Sequence, residues 1–550
     1  MKTALIRRWP ALVFAAVAVA TISAPVLRAA PGPGDDQKTP AATGELKPVA
    51  VIAGAPYEKL IADITFLGSL GGKPELGQMV EGGMAFFTQG KAATAIDKKQ
   101  AWGVIVQTDG ATFLPVGCLP VIKADDLLGV VKNYGMQIKD GGDGIKEVVM
   151  PNQRSIFVKQ DGGMAFIGAT SASLGKLPAN PQQLLGKVLG DYDIAARISI
   201  KNIPEMYRQF ALQQLQAGVQ QNMKKKNDQT DEQFEAQQKM TQAQMEQIAQ
   251  SINETDSATF GWAVDSQQQR TYIDFTTTFV PGTKSAKQMA FYENSKTDFA
   301  GFYKPDAAAT MTMTVKGDPQ AMAGNLAQLD ASMNSAREQL NREIDKKVDD
   351  QDARDALKAA AADFFDALTS TIKAGQMDGG GSLQLSADSM TLVAGAHVAD
   401  TSKVESALKK LEAAAKKSPD FPGIKWNAAN HAGVTFNTIT VPVPEGEEGP
   451  RKLLGSELNV AVGIAPQAVY VAAGKDNIEA VNKAIDASAA EKGKSVPPFE
   501  LAISLAPIME VAAAQAKEGP QKEIVQKVAD YLKSEAQGRD HIRVLGTAVP

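Results

Sequence analysis

Histidine, cysteine and closely spaced carboxylates carry much of protein chemistry, and this chain of 550 residues uses the first two sparingly. Its three histidines, His397, His431 and His541, stand far apart, and none lies at a ligand spacing from another His or from the single cysteine, Cys118. A zinc site needs about four converging ligands, or three and a water, so the spacing predicts no metal centre. Cys118 falls inside the apolar run 113–122 and reads as a buried small hydrophobe. A lone cysteine also excludes an intramolecular disulfide.

Carboxylates are plentiful, and Asp125-Asp126, Asp349-Asp350 and Glu447-Glu448 are adjacent pairs. Neighbours in sequence point in different directions on a helix or strand, so adjacency does not make an acid–base dyad. Carboxylates distant in sequence can still converge, and a calcium site built of scattered oxygens leaves no local pattern. A serine nucleophile on a strand–helix elbow wants Gly-x-Ser-x-Gly; Gly68-Ser69-Leu70-Gly71 has the wrong spacing. Gly493-Lys494-Ser495 ends like a phosphate-binding loop, but Ser488 stands where the opening glycine belongs. The glycine clusters 141–142, 162–163 and 379–381 read as tight turns and linkers. No catalytic, cofactor-binding or metal residue is assigned, and no cofactor is expected.

The elements that would position any site repeat along the chain, as strands that run directly into helices. Residues 196–202, 310–316 and 500–505 are short strands, each followed by a helix with a proline (Pro204, Pro319, Pro507) at or beside its first turn. There the missing N–H costs nothing. Long helical stretches follow at 205–253, 320–374 and 508–536, and strands return at 258–264, 382–387 and 541–549. A longer correspondence joins the first and last portions. Strand 112–116, helix 124–134, strands 145–150, 155–159 and 164–169 and helix 182–189 are matched by strand 390–394, helix 402–416, strands 434–441, 457–462 and 468–472 and helix 477–488. The spacing of Met206, Phe210, Leu215, Val219 and Met223 gives the first long stretch a narrow apolar face, with Gln on the others. That pattern fits helical hairpins. The expected fold class is therefore α+β: repeated antiparallel sheets backed by helices, with long helical insertions.

The amino terminus adds a compartment. Lys2, Arg7 and Arg8 precede the apolar run 11–20, and small residues lead to Ala29-Ala30 and a Pro/Gly-rich stretch. That order is the grammar of a signal peptide. Cleavage after Ala20, Ala29 or Ala30 stays open, and so does an uncleaved membrane anchor. Residues 31–48 carry almost no large apolar side chains and read as a flexible linker. The body is divided as a first repeat at 49–257, an abbreviated middle repeat at 258–378 and a last repeat at 379–550. A net charge of −5 is the wrong sign for a general nucleic-acid binder.

The opening from Tyr57 through Asp63 to Gly71, the Ala101-Trp102-Gly103-Val104 strand and the strand-into-helix step from Ile198 to Phe210 resemble a loose group of uncharacterised exported bacterial proteins built of such strand–helix units. The resemblance implies that architecture and no activity. By elimination, the expectation is an exported protein, periplasmic or extracellular, acting as a non-enzymatic binding or structural protein of the cell envelope. Its partner would be a protein or a hydrophobic small ligand, with no nucleic acid and no membrane contact beyond an uncleaved signal segment. The alternatives are a carrier of a lipid or other hydrophobic ligand and an enzyme with dispersed catalytic carboxylates.

Overall fold

The computed structural model describes residues 45–70, 72–225, 230–317, 326–416, 423–516, 518–536 and 540–548. The expected signal peptide (1–30) and most of the linker lie outside them. The fold is α+β, with every strand pairing antiparallel and helices packed against the sheets. It divides into two compact units, residues up to 229 with 244–283, and residues 230–243 with 284 onward.

In the first unit β1 (Lys47–Gly54) leads through helices α1 (Tyr57–Leu70), α2 (Leu76–Thr88) and α3 (Lys91–Ala95) to β2 (Trp102–Thr108) and β3 (Phe113–Pro120). Helix α4 (Ala124–Lys132) precedes a meander of β4 (Gln137–Asp140), β5 (Ile145–Val149), β6 (Ser155–Asp161) and β7 (Met164–Gly168). Helix α5 (Pro181–Leu189), with Pro181 in its first turn, returns the chain to β8 (Ile194–Ser199). Helices α6 (Glu205–Asn222) and α7 (Asp231–Glu254), the latter divided between the two units after residue 243, then separate β8 from the hairpin β9 (Thr255–Asp265) and β10 (Arg270–Phe279). The ten strands lie in the order β4-β5-β6-β7-β3-β2-β1-β8-β9-β10.

The second unit opens with a short helix, α8 (Lys284–Ala290), and the two-residue strand β11 (Lys296–Thr297). Strand β12 (Ala309–Lys316) is followed by α9 (Leu326–Lys347), α10 (Gln351–Lys373), β13 (Gln376–Leu385), β14 (Met390–His397) and α11 (Thr401–Ala415). Strands β15 (Lys425–His431) and β16 (Val434–Pro442), helix α12 (Glu448–Leu454), and strands β17 (Glu457–Ala465) and β18 (Ala468–Gly474) come next. The chain ends through α13 (Asn477–Ala490), β19 (Lys494–Ser495), β20 (Phe499–Ser504), α14 (Leu505–Gln515), α15 (Pro520–Tyr531) and β21 (His541–Gly546). The nine-stranded sheet runs β15-β16-β17-β18-β14-β13-β12-β20-β21, and β11 pairs with β19.

Read side by side, the two sheet orders are one order. Strands β1, β2, β3, β7, β8 and β9 of the first unit hold the places of β12, β13, β14, β18, β20 and β21 of the second, with helices inserted at the same connections. Strand β10 has no counterpart. The expected middle repeat, 258–378, is thus not a unit. Its first strand is β9 of the first sheet, and its second strand and helices begin the second unit. The strand-into-helix pattern of 310–316 marks the start of a complete unit, whose meander and later helices lie downstream of 378.

Each sheet has one face closed over an apolar core, chiefly by one helix. In the first unit Leu185, Val188 and Leu189 of α5 pack on Val51, Ala53, Ile105, Val116, Cys118 and Phe166. In the second, Val481, Ala484 and Ile485 of α13 pack on Val393, Val434, Phe436, Ala461 and Ala472, joined by Phe299 and Phe302. The triplet Gly379-Gly380-Gly381 is no linker: it lies inside β13. A Cβ on Gly380 would come within 3.2 Å of Phe302, and one on Gly395, opposite it in β14, within 2.9 Å of the Phe299 ring. Side-chain-free backbone lets both rings settle on the sheet.

Candidate functional site

The opposite face of the first sheet changes character along its width. Cross-strand pairing sets Phe275, Phe260, Ala196, Ile52, Val104, Gly117 and Ile167 in one row from β10 to β7. Paired residues share a face because side chains alternate with period 2. At the β7 end the row is covered: Ile167 packs with Leu128 and Val131 of α4, and Val104 is 5% exposed. At the β10 end it is bare, with Phe275 at 74%. The next row, Ile273, Trp262, Ile194, Gly54 and Trp102, repeats the pattern, with Ile273 65% exposed. Gly54 has a steric role, since a Cβ there would lie 2.4 Å from the Trp102 indole. Ile198 adds a second exposed apolar side chain on β8, beside Ile194.

The second sheet has the same feature in the same place. Val544, Leu501, Met311, Gly381, Ala394 and Val471 form a row from β21 to β18. Met311, Met313, Ile542 and Val544 are exposed. Contiguous exposed apolar surface is unusual on a globular domain, whereas scattered single residues need no explanation.

The charged clusters are separate from these faces. Lys59 on α1 donates to Asp63 Oδ1 at 2.5 Å, lies 2.9 Å from Asp193 Oδ1, and reaches the Val264 carbonyl at 3.3 Å. Asp193 Oδ2 accepts the Val264 amide at 2.6 Å. Burial raises the Asp63 carboxyl above its ordinary value, the Lys59 hydrogen bond opposes that rise, and the Asp193 charge adds to it. Burial alone would lower Lys59; its hydrogen bonds to the two carboxylates raise it instead. The ammonium fills the space between the carboxylates, so the cluster ties α1 to the start of β8 and the end of β9. The i,i+4 pair Lys59–Asp63 was visible in the sequence; the arrival of Asp193 was not.

In the second unit Asp378 of β13 accepts Thr297 Oγ1 at 2.6 Å and the Asp298 amide at 2.8 Å, and burial raises its carboxyl. Glu500 of β20 accepts from the Tyr303 hydroxyl and from Arg543 Nε at 2.7 Å. Burial and that hydrogen bond push the Tyr303 hydroxyl up to about 12. On α10, Asp363 accepts Lys410 Nζ at 2.5 Å and Ser406 Oγ at 2.6 Å. Burial alone would raise Asp363, but these partners hold it below its ordinary value. Each cluster joins elements of the fold through its carboxylates, although Asp63 Oδ2 is buried without a hydrogen-bond partner.

The residues singled out by type are dispersed. Cys118 is wholly buried, and burial pushes its thiol up to about 12. His431 contacts Asp486 at 2.7 Å, His397 ends β14 and His541 begins β21. No group of three or more His, Cys, Asp or Glu suited to a metal ion occurs among the described residues. Of the adjacent acid pairs, Asp350 caps α10 by accepting the Ala353 amide at 2.8 Å. Asp125 and Asp126 sit in the first turn of α4 and Glu448 in that of α12, where carboxylates suit the helix dipole. Lys494 and Ser495 form β19 and cradle no phosphate-like turn.

The most exposed part of the apolar face, β10, escaped the sequence reading. Its signal was present: Tyr272, Ile273, Phe275 and four threonines follow the polar turn after Asp265, the composition of a hairpin strand. No helix among the described residues is long and apolar enough to cross a membrane. Comparison of the chain with family models, with curated proteins and with solved structures finds no match in any of the three.

Proposed function

We propose that this is an exported, non-enzymatic binding protein of the cell envelope that engages its partner through the open face of β1, β8, β9 and β10. The observation that carries this reading is the row Ile52, Ala196, Phe260 and Phe275, apolar across four strands and uncovered. Burying one such side chain is worth roughly 1.5–3 kcal/mol, so Phe260, Phe275, Ile273 and Ile198 together supply a strong anchor. The resemblance to exported strand–helix proteins agrees with an envelope setting.

A partner protein is the first reading, because the exposed apolar side chains spread over four neighbouring strands. A lipid or other hydrophobic ligand on the same face is the second, since Phe260, Phe275 and Ile273 offer it apolar contact.

The test is native mass spectrometry of the mature protein taken from its own envelope fraction, with Phe275→Lys beside it. Wild type should carry an added mass that denaturation removes and the variant lacks. A protein-sized mass supports the first reading and a lipid-sized mass the second. A bare chain in wild type, or an added mass that the variant retains, rejects this face as the binding surface.

A further inference from the structure

The second sheet ends where the first continues. In the first unit the outer edge of β9 is covered by β10 along a ladder from Arg270 opposite Asp265 to Phe279 opposite Thr255. Strand β21 holds the same place in the second sheet, and among the described residues it pairs only with β20. Its pairing, from Phe499–Gly546 to Ser504–His541, has no shift of register. It contains no proline, lysine or bulge, three of the devices that blunt a sheet edge, and its inward charge, Arg543, is neutralised by Glu500. Its one arginine is drawn aside, since Arg543 donates Nε to the buried Glu500. What remains is a regular edge with Ile542 and Val544 exposed on the apolar face, Ile542 at 58%.

We propose that the outer edge of β21 is a strand-acceptor site for an extended segment of another polypeptide. That segment pairs antiparallel with 542–546 of β21. Its alternate apolar side chains extend the row of Val544, Leu501 and Met311, as Phe275 and Ile273 extend the corresponding rows of the first sheet. The first unit supplies the template for position, direction and side-chain pattern. Main-chain hydrogen bonds give such an addition its affinity, and alternate side chains give its specificity. A second copy is the competing occupant, by pairing β21 with itself about a two-fold axis. That ladder is confined to the six residues of the strand, and centring it on Arg543 sets two guanidiniums opposite each other. The inference stands apart from the reading of the first sheet's open face, and either can fail alone.

The probe is a peptide with the chain's own β10 sequence, Arg270–Phe279, made soluble by terminal lysines and carrying a photo-crosslinker at the Ile273 position. It is titrated against the full mature chain. Saturable binding, with crosslinks into 541–546, is the expected result. N-methylating alternate peptide amides along one edge should weaken binding at least about tenfold, while methylating the intervening amides changes it little, because an added strand uses one edge only. Val544→Lys should weaken binding by a similar factor at unchanged circular dichroism. The methylation series serves if that variant does not fold. Absence of binding up to about 1 mM, crosslinks outside 541–546, or equal loss from both methylation sets would overturn the proposal. So would a wild-type dimer that Val544→Lys converts to monomer, which gives the edge to a second copy.

Discussion

The two units share one strand order yet line their closed faces with different chemistry. At the centre of the first sheet, β1 turns Val49, Val51 and Ala53 inward. At the same place in the second, β12 turns Thr310, Thr312 and Thr314 inward and its methionines outward. The cause is what lies on top. The first sheet receives the apolar side of α5. The second also receives an irregular segment, 295–307, whose backbone needs partners. Thr314 donates to the Lys296 carbonyl at 2.9 Å, Thr310 accepts the Lys304 amide at 3.1 Å, and Asp378 takes the Asp298 amide. Buried backbone groups must be paired, so Thr310 and Thr314 follow from the segment, whereas Thr312 Oγ1 is buried without a hydrogen-bond partner. The closed faces differ, then, while the open faces remain apolar in both units. Packing alone has no use for an uncovered Phe275 or Met311, and this is the contrast that points to binding.

The largest expected effect tests the closed side against the open side with one residue type. Phe302 is wholly buried among Phe299, Tyr470 and Gly380, and Phe275 is mostly bare. Phe302→Ala should cost about 3–5 kcal/mol, read by urea unfolding, while Phe275→Ala should stay within about 0.5 kcal/mol. Equal losses would mean that the apolar face of β10 is part of a core, and the comparison would collapse.

Next in size is the clamp of the first unit. Asp193→Ala strips Lys59 of one carboxylate and leaves the Val264 amide without its acceptor. The expected loss is about 2 kcal/mol, smaller than for a fully buried pair because the lysine is partly solvated. Trp262 is a suitable reporter, since its carbonyl accepts the Asp193 amide at 2.8 Å. A loss below about 0.5 kcal/mol would make the clamp incidental to the fold.

Two carboxylates, Asp363 of the second unit and Asp63 of the first, differ in the sign of their pH response. Asp363 is lowered in the folded protein, so its contribution is present above its ordinary value of 3.8 and is lost as pH falls through the depressed value. Asp363→Asn should therefore be less stable than wild type at neutral pH, and the two curves should converge below pH 3.8. Asp63 is raised, so its protonated form is favoured by folding. That advantage is full below 3.8 and is lost as pH rises through the raised value. Asp63→Asn should flatten this second trend. Opposite slopes in the two variants, measured by thermal unfolding from acid to neutral pH, confirm the contrast; parallel slopes refute it.

Much of the element order was legible because hydrophobic period and punctuation were local. Strands 145–150, 155–159 and 164–169 and helices 124–134 and 182–189 emerged close to their observed bounds. The division into units was not legible, since which strands pair depends on contacts between distant segments. The run 310–316 reads as an amphipathic strand with either face inward, and hydropathy favours burying methionine. The structure buries threonine, because the partner of that face is backbone. Gly379-Gly380-Gly381 carries the same lesson, for glycine as room for Phe302 is indistinguishable in sequence from glycine as a turn. The open face could not be read at all: β10 needed its hairpin recognised, and exposure depends on where α4 stops covering the sheet.

The smallest expected effect on stability is also the sharpest test of the contrast. Ile273→Lys on β10 and Met311→Lys on β12 each place a charge on an open apolar face, at exposed positions and with no core neighbour removed. Unfolding free energies should move by less than about 0.5 kcal/mol, and far-ultraviolet circular dichroism should not change. What separates the two variants is the retained mass in native mass spectrometry. If the first unit's face binds alone, Ile273→Lys strips the added mass and Met311→Lys keeps it. If both faces act, each variant removes part of it. Retention by both would show that the two open faces, alike in position and composition, are not where this protein holds its partner.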